Sequence, residues 1–378
     1  MKKQLKISFL FFLFLLIISC KKETQNTDKK TNIKSNIKYA KGFDIIENNG
    51  IKKLIIKSAY QNSKEEFTYT VRNKNKISNN LQNNDISTPI KKIVVTSTTH
   101  IPMVELLNEE TAIIGFPYSK FVSSEKTREL IDNGSITEIG QKGSLNTEIL
   151  LNLDPELIVG YSVSSADKSL NLLEKAGVNV IYNGDWLEET PLGRAEWIKF
   201  FGVLFDKEKK ADSIFNAIEK NYLDAKKIVN ELVNKPSVLS GAVISKDIWN
   251  LPAGESFVAT SLSDANFNYL WKDTKGKGSL SLSFESVFEK GKNADFWLAP
   301  GHYSSKEELI KSNVLYAEFK AFKNNKIYTP TNKKGKTGGI LYYELATVRP
   351  DLVLKDFIKI AHPELLPNYE FTFYEKLK

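Results

Sequence analysis

The sequence predicts an α/β protein of two lobes joined by one long helix and preceded by a β-rich extension. Strand-like and helix-like segments alternate through residues 91–206 and again through 234–378, which is typical of parallel sheets covered by helices. A short motif with a glutamate near its start occurs once in each half of the chain. Between the halves, residues 207–233 carry apolar side chains at every third or fourth position, as an amphipathic helix does.

Apolar strands of the first lobe end beside polar or aromatic side chains. Strands are predicted at Ile93–Val95, Ala112–Gly115, Leu157–Gly160 and Val178–Tyr182, and helices at Pro102–Leu107, from Asn146 and at Lys168–Ala176. In a Rossmann-like lobe of this kind, the ligand lies beyond the carboxyl ends of the strands. The candidate ligand-binding residues there are Thr98, His100, Tyr118, Tyr161 and Trp186, followed by Arg194. Each aromatic alone is explained by packing, but the set predicts an aromatic-lined cleft.

The second lobe, residues 234–378, repeats this pattern. Its strands are predicted at Val238–Ile244, Phe296–Ala299 and Lys326–Pro330. Trp249, His302 and Tyr303 follow strand-like segments, and we expect them to face the same cleft from the other side. The glycine-rich stretch Gly276–Ser279 resembles a phosphate loop only weakly and is also explained as a plain turn.

Two helical segments frame the second lobe. A helix over residues 207–233 would measure about 40 Å, which is enough to cross from one lobe to the other as a rigid strut. Pro236 is expected to end it. The closing helix at Ile340–Ala361 contains Arg349-Pro350, and the proline is expected to divide it into two helices.

The N-terminus predicts export and a lipid anchor. Residues 1–19 have the basic start, the apolar centre and the small final residue of a secretory signal peptide. Cys20 is the only cysteine in 378 residues, and Ile17–Cys20 resembles a bacterial lipobox, whose cysteine is lipidated. Residues 20–38 are polar and predict a flexible tether. A single cysteine provides neither a disulfide framework nor a zinc-thiolate site.

The extension, residues 39–90, differs in composition from the lobes. Short β-rich runs at Phe43–Glu47, Lys53–Lys57 and Phe67–Val71 predict a hairpin or meander packed on the first lobe, without a chemical motif. The formal net charge of +8 owes much to lysines of the leader and tether, so it does not indicate a nucleic-acid partner.

The two glutamate motifs are Asn146-Thr147-Glu148 and Ser283-Phe284-Glu285. In each, a small polar residue that can cap a helix is followed by a glutamate in the first turn, where the helix dipole favours a negative charge. One such residue is ordinary helix capping. Two at matching places form a pair of acidic groups suited to arginines of a membrane partner.

Residues 91–361 resemble the substrate-binding lipoproteins of ABC importers for iron-siderophores and cobalamin, whose lobes are joined by a single long helix. The pattern Gly143–Glu148, continued by Leu153–Val159, is the most specific part. The resemblance implies that Glu148 and Glu285 dock the inner-membrane permease. The segments 191–197 and 257–271 and the β-rich extension resemble versions common among Bacteroidetes members. We therefore expect a periplasmic, lipid-anchored carrier without catalytic residues, cofactor or resident metal.

The residues leave several ligands open. An anionic ferric siderophore suits Arg194 and aromatic faces, whereas cobalamin asks for aromatic and polar contacts over a broad face. Haem needs an axial ligand, for which His100 or Tyr161 could serve. A bare metal is least favoured, because the only histidines are His100, His302 and His362.

Two other classes of protein compete with a carrier. The sequence contains no Gly-x-Ser-x-Gly, P-loop, His-Glu-x-x-His or strand-linked Gly-x-Gly-x-x-Gly motif. A Ser/His/Asp group could still assemble in space, which would make the chain a lipid-anchored α/β enzyme. An adhesion or structural lipoprotein would have a flat or filled junction in place of a deep aromatic cleft.

Overall fold

Parallel β-sheets in two places confirm the predicted α/β fold with its strand-rich N-terminal region. The computed structural model describes residues 35–48, 51–61, 63, 65–76, 85–141, 144–163 and 167–378. The predicted signal peptide, Cys20 and the tether before residue 35 lie outside the described residues. Within the described ranges, no helix combines the length and apolar character that crossing a membrane requires.

The N-terminal extension is a four-stranded sheet whose strands lie side by side in chain order. Its strands are β1 (Phe43–Asn48), β2 (Ile51–Ile56), β3 (Phe67–Asn73) and β4 (Asp85–Thr88). The first three pair antiparallel, and β4 runs parallel to β3. Phe43 is buried and packs on Trp197 with 4.4 Å between ring centroids. The sheet therefore shares a hydrophobic core with the first lobe.

The first lobe is built on a parallel sheet of very apolar strands. Its strands are β5 (Ile93–Val95), β6 (Ile113–Phe116), β7 (Thr137–Glu138), β8 (Gly140–Gln141), β9 (Ser144–Leu145), β10 (Leu157–Gly160) and β11 (Val180–Tyr182). Its helices are α1 (His100–Leu106), α2 (Glu125–Asp132), α3 (Thr147–Leu153), α4 (Lys168–Lys175), α5 (Pro191–Glu196) and α6 (Ile198–Leu204). The sheet order is β11-β10-β5-β6-β7, and β8 and β9 form a separate hairpin before α3. Strands buried on both faces explain the continuous apolar runs.

One long helix, α7 (Glu208–Val229), belongs to both lobes. Its N-terminal half buries Ala211, Phe215 and Ile218 in the core of the first lobe. Its C-terminal half buries Tyr222, Ala225 and Val229 in the core of the second. The helix has 22 residues and a length of about 33 Å, and it ends before the predicted residue 233. The interlobe strut is confirmed.

The second lobe combines a mostly parallel sheet with an antiparallel one. Its strands are β12 (Ser237–Ser240), β13 (Ala242–Ser245), β14 (Ile248–Pro252), β15 (Asn268–Tyr269), β16 (Ser279–Ser283), β17 (Phe296–Leu298), β18 (Ile327–Thr329) and β19 (Glu375–Lys376). Its helices are α8 (Phe257–Asp264), α9 (Phe284–Gly291), α10 (Lys306–Ser312), α11 (Lys320–Lys323), α12 (Leu341–Leu345) and α13 (Pro350–Ala361). The sheet orders are β15-β12-β17-β18-β19 and β13-β14-β16. In the first sheet only β19 pairs antiparallel.

The strand predicted at Val238–Ile244 is two strands, β12 and β13, which belong to different sheets. Gly241 separates them with a φ of +93°, and a Cβ atom there would lie 2.0 Å from the carbonyl oxygen of Asn250. Only glycine allows both the backbone angle and the close approach. Because the residues on both sides of Gly241 are mostly apolar, the sequence pattern does not show this break.

The C-terminal segment returns to the first lobe. Pro350 opens α13 and separates it from α12, as its position in the sequence predicts. Glu344 of α12 accepts hydrogen bonds from the backbone N–H groups of Ser123 (2.6 Å) and Ser124 (2.9 Å) in the first lobe. Val348 is fully buried in the core of that lobe. The two lobes are therefore joined at a second place besides α7.

Candidate functional site

A cavity of about 820 Å³ lies between the lobes. Gly241, Ala299 and Pro330 line it, and they come directly after β12, β17 or β18, beyond the last residue of the strand. The cavity therefore lies where a ligand of an open parallel sheet is expected. Its volume falls within the range of about 300–1,000 Å³ that small-molecule sites occupy.

Aromatic rings make up much of the cavity wall. They belong to Tyr60, Trp186, Phe257, Tyr342, Tyr343 and Tyr374. Burial raises the pKa of both Tyr342 and Tyr343, so these phenols keep their protons and can donate hydrogen bonds. Trp186 has a buried Nε1 atom without a hydrogen-bond partner among the described residues. The wall thus offers flat apolar faces with a few donors.

The two charged side chains among the described residues of the cavity wall, Glu255 and Lys277, are already paired. The carboxylate of Glu255 accepts a hydrogen bond from the N–H of Gly276 (3.0 Å) and contacts Nζ of Lys275 (3.3 Å). These two interactions, the first being the larger, lower the pKa of Glu255. Lys277 forms an ion pair with Glu189 of the first lobe. The stretch Gly276–Ser279 is therefore a part of the wall, and its one positive charge is compensated.

A second cavity of about 310 Å³ shares Phe257, Val258, Tyr342 and Tyr343 with the first. Arg194 of α5 lines only this smaller one. The guanidinium carbon of Arg194 lies 4.1 Å from the ring centroid of Phe257, and its Nε donates to the carbonyl of Asp185 at 3.3 Å. Burial lowers the pKa of Arg194. The predicted arginine therefore lines a neighbouring cavity that shares part of its aromatic wall with the large one.

Of the other residues predicted for the first-lobe side, Trp186 lines the large cavity, and two lie one layer behind its wall. The Tyr161 ring lies 6.0 Å from the Trp186 ring, edge to face. Thr98 Oγ1 lies 3.5 Å from the carbonyl oxygen of Tyr343. The carboxyl ends of the strands therefore do converge on this region, although only part of the predicted set lines the cavity.

Four predicted ligand-binding residues lie elsewhere. Trp249 is fully buried, with its ring 5.3 Å from that of Trp297, whereas the next residue of β14, Asn250, lines the cavity. His302 is exposed and does not line the cavity. Tyr303 lines a small separate depression, and Tyr118 packs against Phe121.

His100 is also placed differently from the prediction. Its side chain is fully buried, and neither ring nitrogen has a hydrogen-bond partner among the described residues. Burial lowers the pKa of His100 to about 4, so the ring is neutral at neutral pH. As the first residue of α1 it turns into the core, 5.6 Å from the Phe201 ring. It is not accessible as an axial ligand.

Sequence reasoning missed several residues of the cavity wall. Phe257 follows the helix cap Ser256, and the pair Tyr342-Tyr343 lies in α12. The pair of adjacent tyrosines was the one available signal. Ser58, Tyr60, Gln61 and Ser63 come from the connection between β2 and β3. No sequence pattern linked that connection to the cleft.

Glu148 and Glu285 occupy matching places in the two lobes. Each is the second residue of its helix, α3 or α9, and each helix is capped by the side chain predicted for it, Asn146 or Ser283. Both glutamates are exposed. The capping prediction is confirmed, and the docking role remains a proposal.

The sequence profile of the periplasmic binding protein family matches residues 93–333. The chain therefore belongs to the periplasmic binding protein family. An uncharacterized lipoprotein of Methanocaldococcus jannaschii is 26% identical over 419 residues, which cover 100% of this chain and 97% of that protein. The family is one of binding proteins.

Solved structures of similar fold are binding proteins. A candidate iron-binding periplasmic protein of Staphylococcus epidermidis has a TM-score of 0.57 and 22% identity, covering 73% of this chain and 100% of its own. The haem-binding protein HutB of Vibrio cholerae has a TM-score of 0.55 and 16% identity, covering 70% and 99%. CeuE of Helicobacter pylori, with Ni(II) bound, has a TM-score of 0.58 and 16% identity, covering 75% and 88%. At these identities the likeness concerns the fold alone.

Proposed function

We propose that this protein is the lipid-anchored substrate-binding protein of an ABC importer and captures a siderophore-type ferric complex between its lobes. The observation that carries the proposal is the aromatic cavity at the carboxyl ends of the parallel strands. Family membership and the lipoprotein relative support export and anchoring through Cys20. The complex would then be delivered to the inner-membrane permease.

The composition of the cavity wall favours a metal ion that is already bound by a small-molecule chelator over a bare ion. Among the lining residues that the structure describes, Glu255 is the one carboxylate, and it is already engaged with Gly276 and Lys275. Transition metals and Fe³⁺ held by protein usually require several imidazole, thiolate, phenolate or carboxylate ligands, and burial here disfavours the phenolate forms of Tyr342 and Tyr343. Rings and hydroxyl groups suit the organic periphery of a chelate instead.

The charges of the cavity wall favour an uncharged chelate over a strongly anionic one. Lys277 pairs with Glu189, and Glu255 with Lys275, so the described residues of the cavity wall offer no uncompensated charge to a strongly anionic ligand. Burying an unpaired charge is costly. A ferric trihydroxamate fits, because its three singly charged groups balance Fe³⁺, whereas a ferric tricatecholate keeps an excess of negative charge.

Cobalamin is the second candidate, since the same neutral aromatic wall suits a broad corrinoid face. Haem is less well supported. Its carboxylates would meet only the paired Lys277 in the large cavity, and His100 is buried away from it.

Fluorescence titration with a panel of ligands tests the proposal. The panel contains a ferric trihydroxamate, a ferric tricatecholate, cyanocobalamin, haemin and free Fe³⁺. Trp186 lines the cavity and the four other tryptophans are buried, so quenching reports mainly on this site. We expect saturable quenching by the trihydroxamate and none by free Fe³⁺. Tight binding of the free ion would contradict the proposal, and preference for cyanocobalamin would replace the first candidate with the second.

Docking is tested by replacing Glu148 and Glu285 together with alanine. We expect unchanged ligand affinity and loss of uptake in cells, because charge-assisted bonds to permease arginines would be removed. Glu125 and Glu307 provide the matched control, since each is exposed in the first turn of a helix, one in each lobe. Normal uptake by the Glu148/Glu285 variant would contradict docking and would leave stabilisation of the two helix N-termini as the only role of these glutamates.

A further inference from the structure

The cavity wall is completed by a part of the chain that the family profile does not include. Ser58, Tyr60, Gln61 and Ser63 line the cavity, and we call these four residues the extension wall. They lie in the connection between β2 and β3, whereas the family profile begins at residue 93. The N-terminal sheet therefore contributes surface to the binding site.

The extension wall is held firmly on the first lobe. The N–H of Gln61 donates to the carbonyl of Val163 at 3.0 Å, just beyond the end of β10. A Cβ atom on Gly184, just beyond the end of β11, would lie 2.0 Å from the carbonyl oxygen of Ser58. Ala59 between them is fully buried. The connection thus covers the carboxyl ends of two strands, where the ligand of such a sheet is expected.

A second set of bonds fixes the same connection to the start of the extension. The N–H groups of Lys57 and Ser58 donate to the carbonyl of Gly42 at 2.7 and 3.2 Å. The N–H of Gly42 in turn donates to the buried carboxylate of Glu188 at 2.8 Å. The wall is therefore anchored through the backbone, which leaves the exposed Gln61 side chain able to meet a ligand.

The side chains of the extension wall are polar and uncharged. The Ser58 hydroxyl can donate and accept, and the amide of Gln61 offers two donor hydrogens and one acceptor oxygen. The Ser63 hydroxyl already donates to the carbonyl of Glu65 at 3.4 Å and accepts from the N–H of Glu65 at 3.3 Å. The Gln61 side chain is exposed. The Tyr60 hydroxyl lies 3.3 Å from a carboxylate oxygen of Glu65, and its ring rests edge-on near Tyr182, 6.4 Å between centroids. Such groups recognise carbonyl and hydroxyl groups rather than ions.

We propose that the extension wall binds the ligand directly and selects it by hydrogen bonds to uncharged carbonyl or hydroxyl groups on its periphery. The proposal rests on the proposed function and adds a determinant of selectivity to the same cavity. The second lobe then supplies four of the aromatic rings together with polar side chains such as Asn250 and Ser279, and the extension adds polar groups from another part of the chain.

The test compares Gln61→Ala, alone and with Ser63→Ala, against wild type in the fluorescence titration with the ferric trihydroxamate and cyanocobalamin. Thr68→Ala is the matched control, because Thr68 is exposed on β3 of the same sheet and does not line the cavity. We expect Gln61→Ala to weaken binding about 3- to 10-fold, the effect of one lost hydrogen bond. The double variant should lose more, and the control should stay within about twofold of wild type. Thermal unfolding of all variants confirms that they are folded.

The outcomes separate the two proposals. Wild-type binding with unchanged affinity in both extension variants would overturn the role of the extension wall and leave the carrier function standing. Failure of wild type to bind either compound would overturn the carrier proposal for these ligands and the extension proposal with it. Equal weakening by Thr68→Ala would also overturn the latter, because the effect would then come from the sheet in general.

Discussion

Glu344 should make the stability of this protein fall as the pH rises. Its carboxylate is only 3% exposed and joins α12 to the backbone of Ser123 and Ser124 in the first lobe. The pKa of Glu344 is raised to about 7 from its ordinary value of 4.5, with burial as the largest cause and nearby Glu105 as a smaller one. The two backbone donors oppose this rise without cancelling it.

The size and the sign of this pH dependence follow from the thermodynamic linkage between proton binding and folding. Because the folded state holds the proton more tightly than the unfolded state, the contribution is fully present below pH 4.5 and is lost as the pH rises through about 7. A difference of about 2.5 in pKa corresponds to about 3 kcal/mol. Glu344→Gln cannot ionise, so it should lack this dependence. At pH 5 it should be less stable than wild type by about 1 kcal/mol, because one of the two backbone donors loses its acceptor.

Urea denaturation of wild type and Glu344→Gln at several pH values from 5 to 8 measures the difference. Other buried carboxyls whose pKa is raised, such as Glu188 and Asp356, are present in both proteins and cancel in the comparison. We expect the two stability curves to cross, with the variant the more stable at pH 8. Glu129→Gln, on the exposed surface of α2, should keep the wild-type slope. Parallel curves for wild type and Glu344→Gln would refute the reasoning.

Three further outcomes follow from the placement of single residues. Trp249→Ala should lower the free energy of unfolding by about 3–5 kcal/mol in urea denaturation, because it empties a core position, and a change below 1 kcal/mol would contradict this placement. Trp186→Ala should weaken binding of the ferric trihydroxamate by about 1–3 kcal/mol in calorimetry, with nearly unchanged stability. Cys20→Ala should move the protein to the soluble fraction of cells, and retention in the membrane would refute the lipid anchor.

The fold could be predicted because its signals are local and repeated. Apolar runs such as Ile93–Val95 and Leu157–Gly160 were found with their observed limits, since strands buried on both faces carry no polar interruption. The long helix was found from its period, although its end was placed at 233 and lies at Val229. There the side-chain amide of Asn266 donates to the carbonyls of Leu232 and Asn234 and holds the chain in another path. Such a tertiary bond leaves no trace in periodicity.

The site was harder to predict, because a cavity wall depends on the direction of each side chain. Trp249 and Asn250 are adjacent on β14, yet Trp249 is fully buried and Asn250 lines the cavity. Successive side chains of a strand point to opposite faces, so a residue of the cavity wall can have a core residue as its direct neighbour. His100 was placed wrongly for a similar reason, since it begins a helix whose first turn faces the core.

The extension shows why its part of the cavity wall could not be predicted from the sequence. Nothing in the order Ser58-Ala59-Tyr60-Gln61 marks a ligand contact, and the residues it meets, Val163 and Gly184, are more than a hundred positions away. The one sequence requirement of this contact concerns the residue on its other side, Gly184. Gly184 must lack a Cβ for the Ser58 carbonyl to approach, so the first lobe is built to receive the extension.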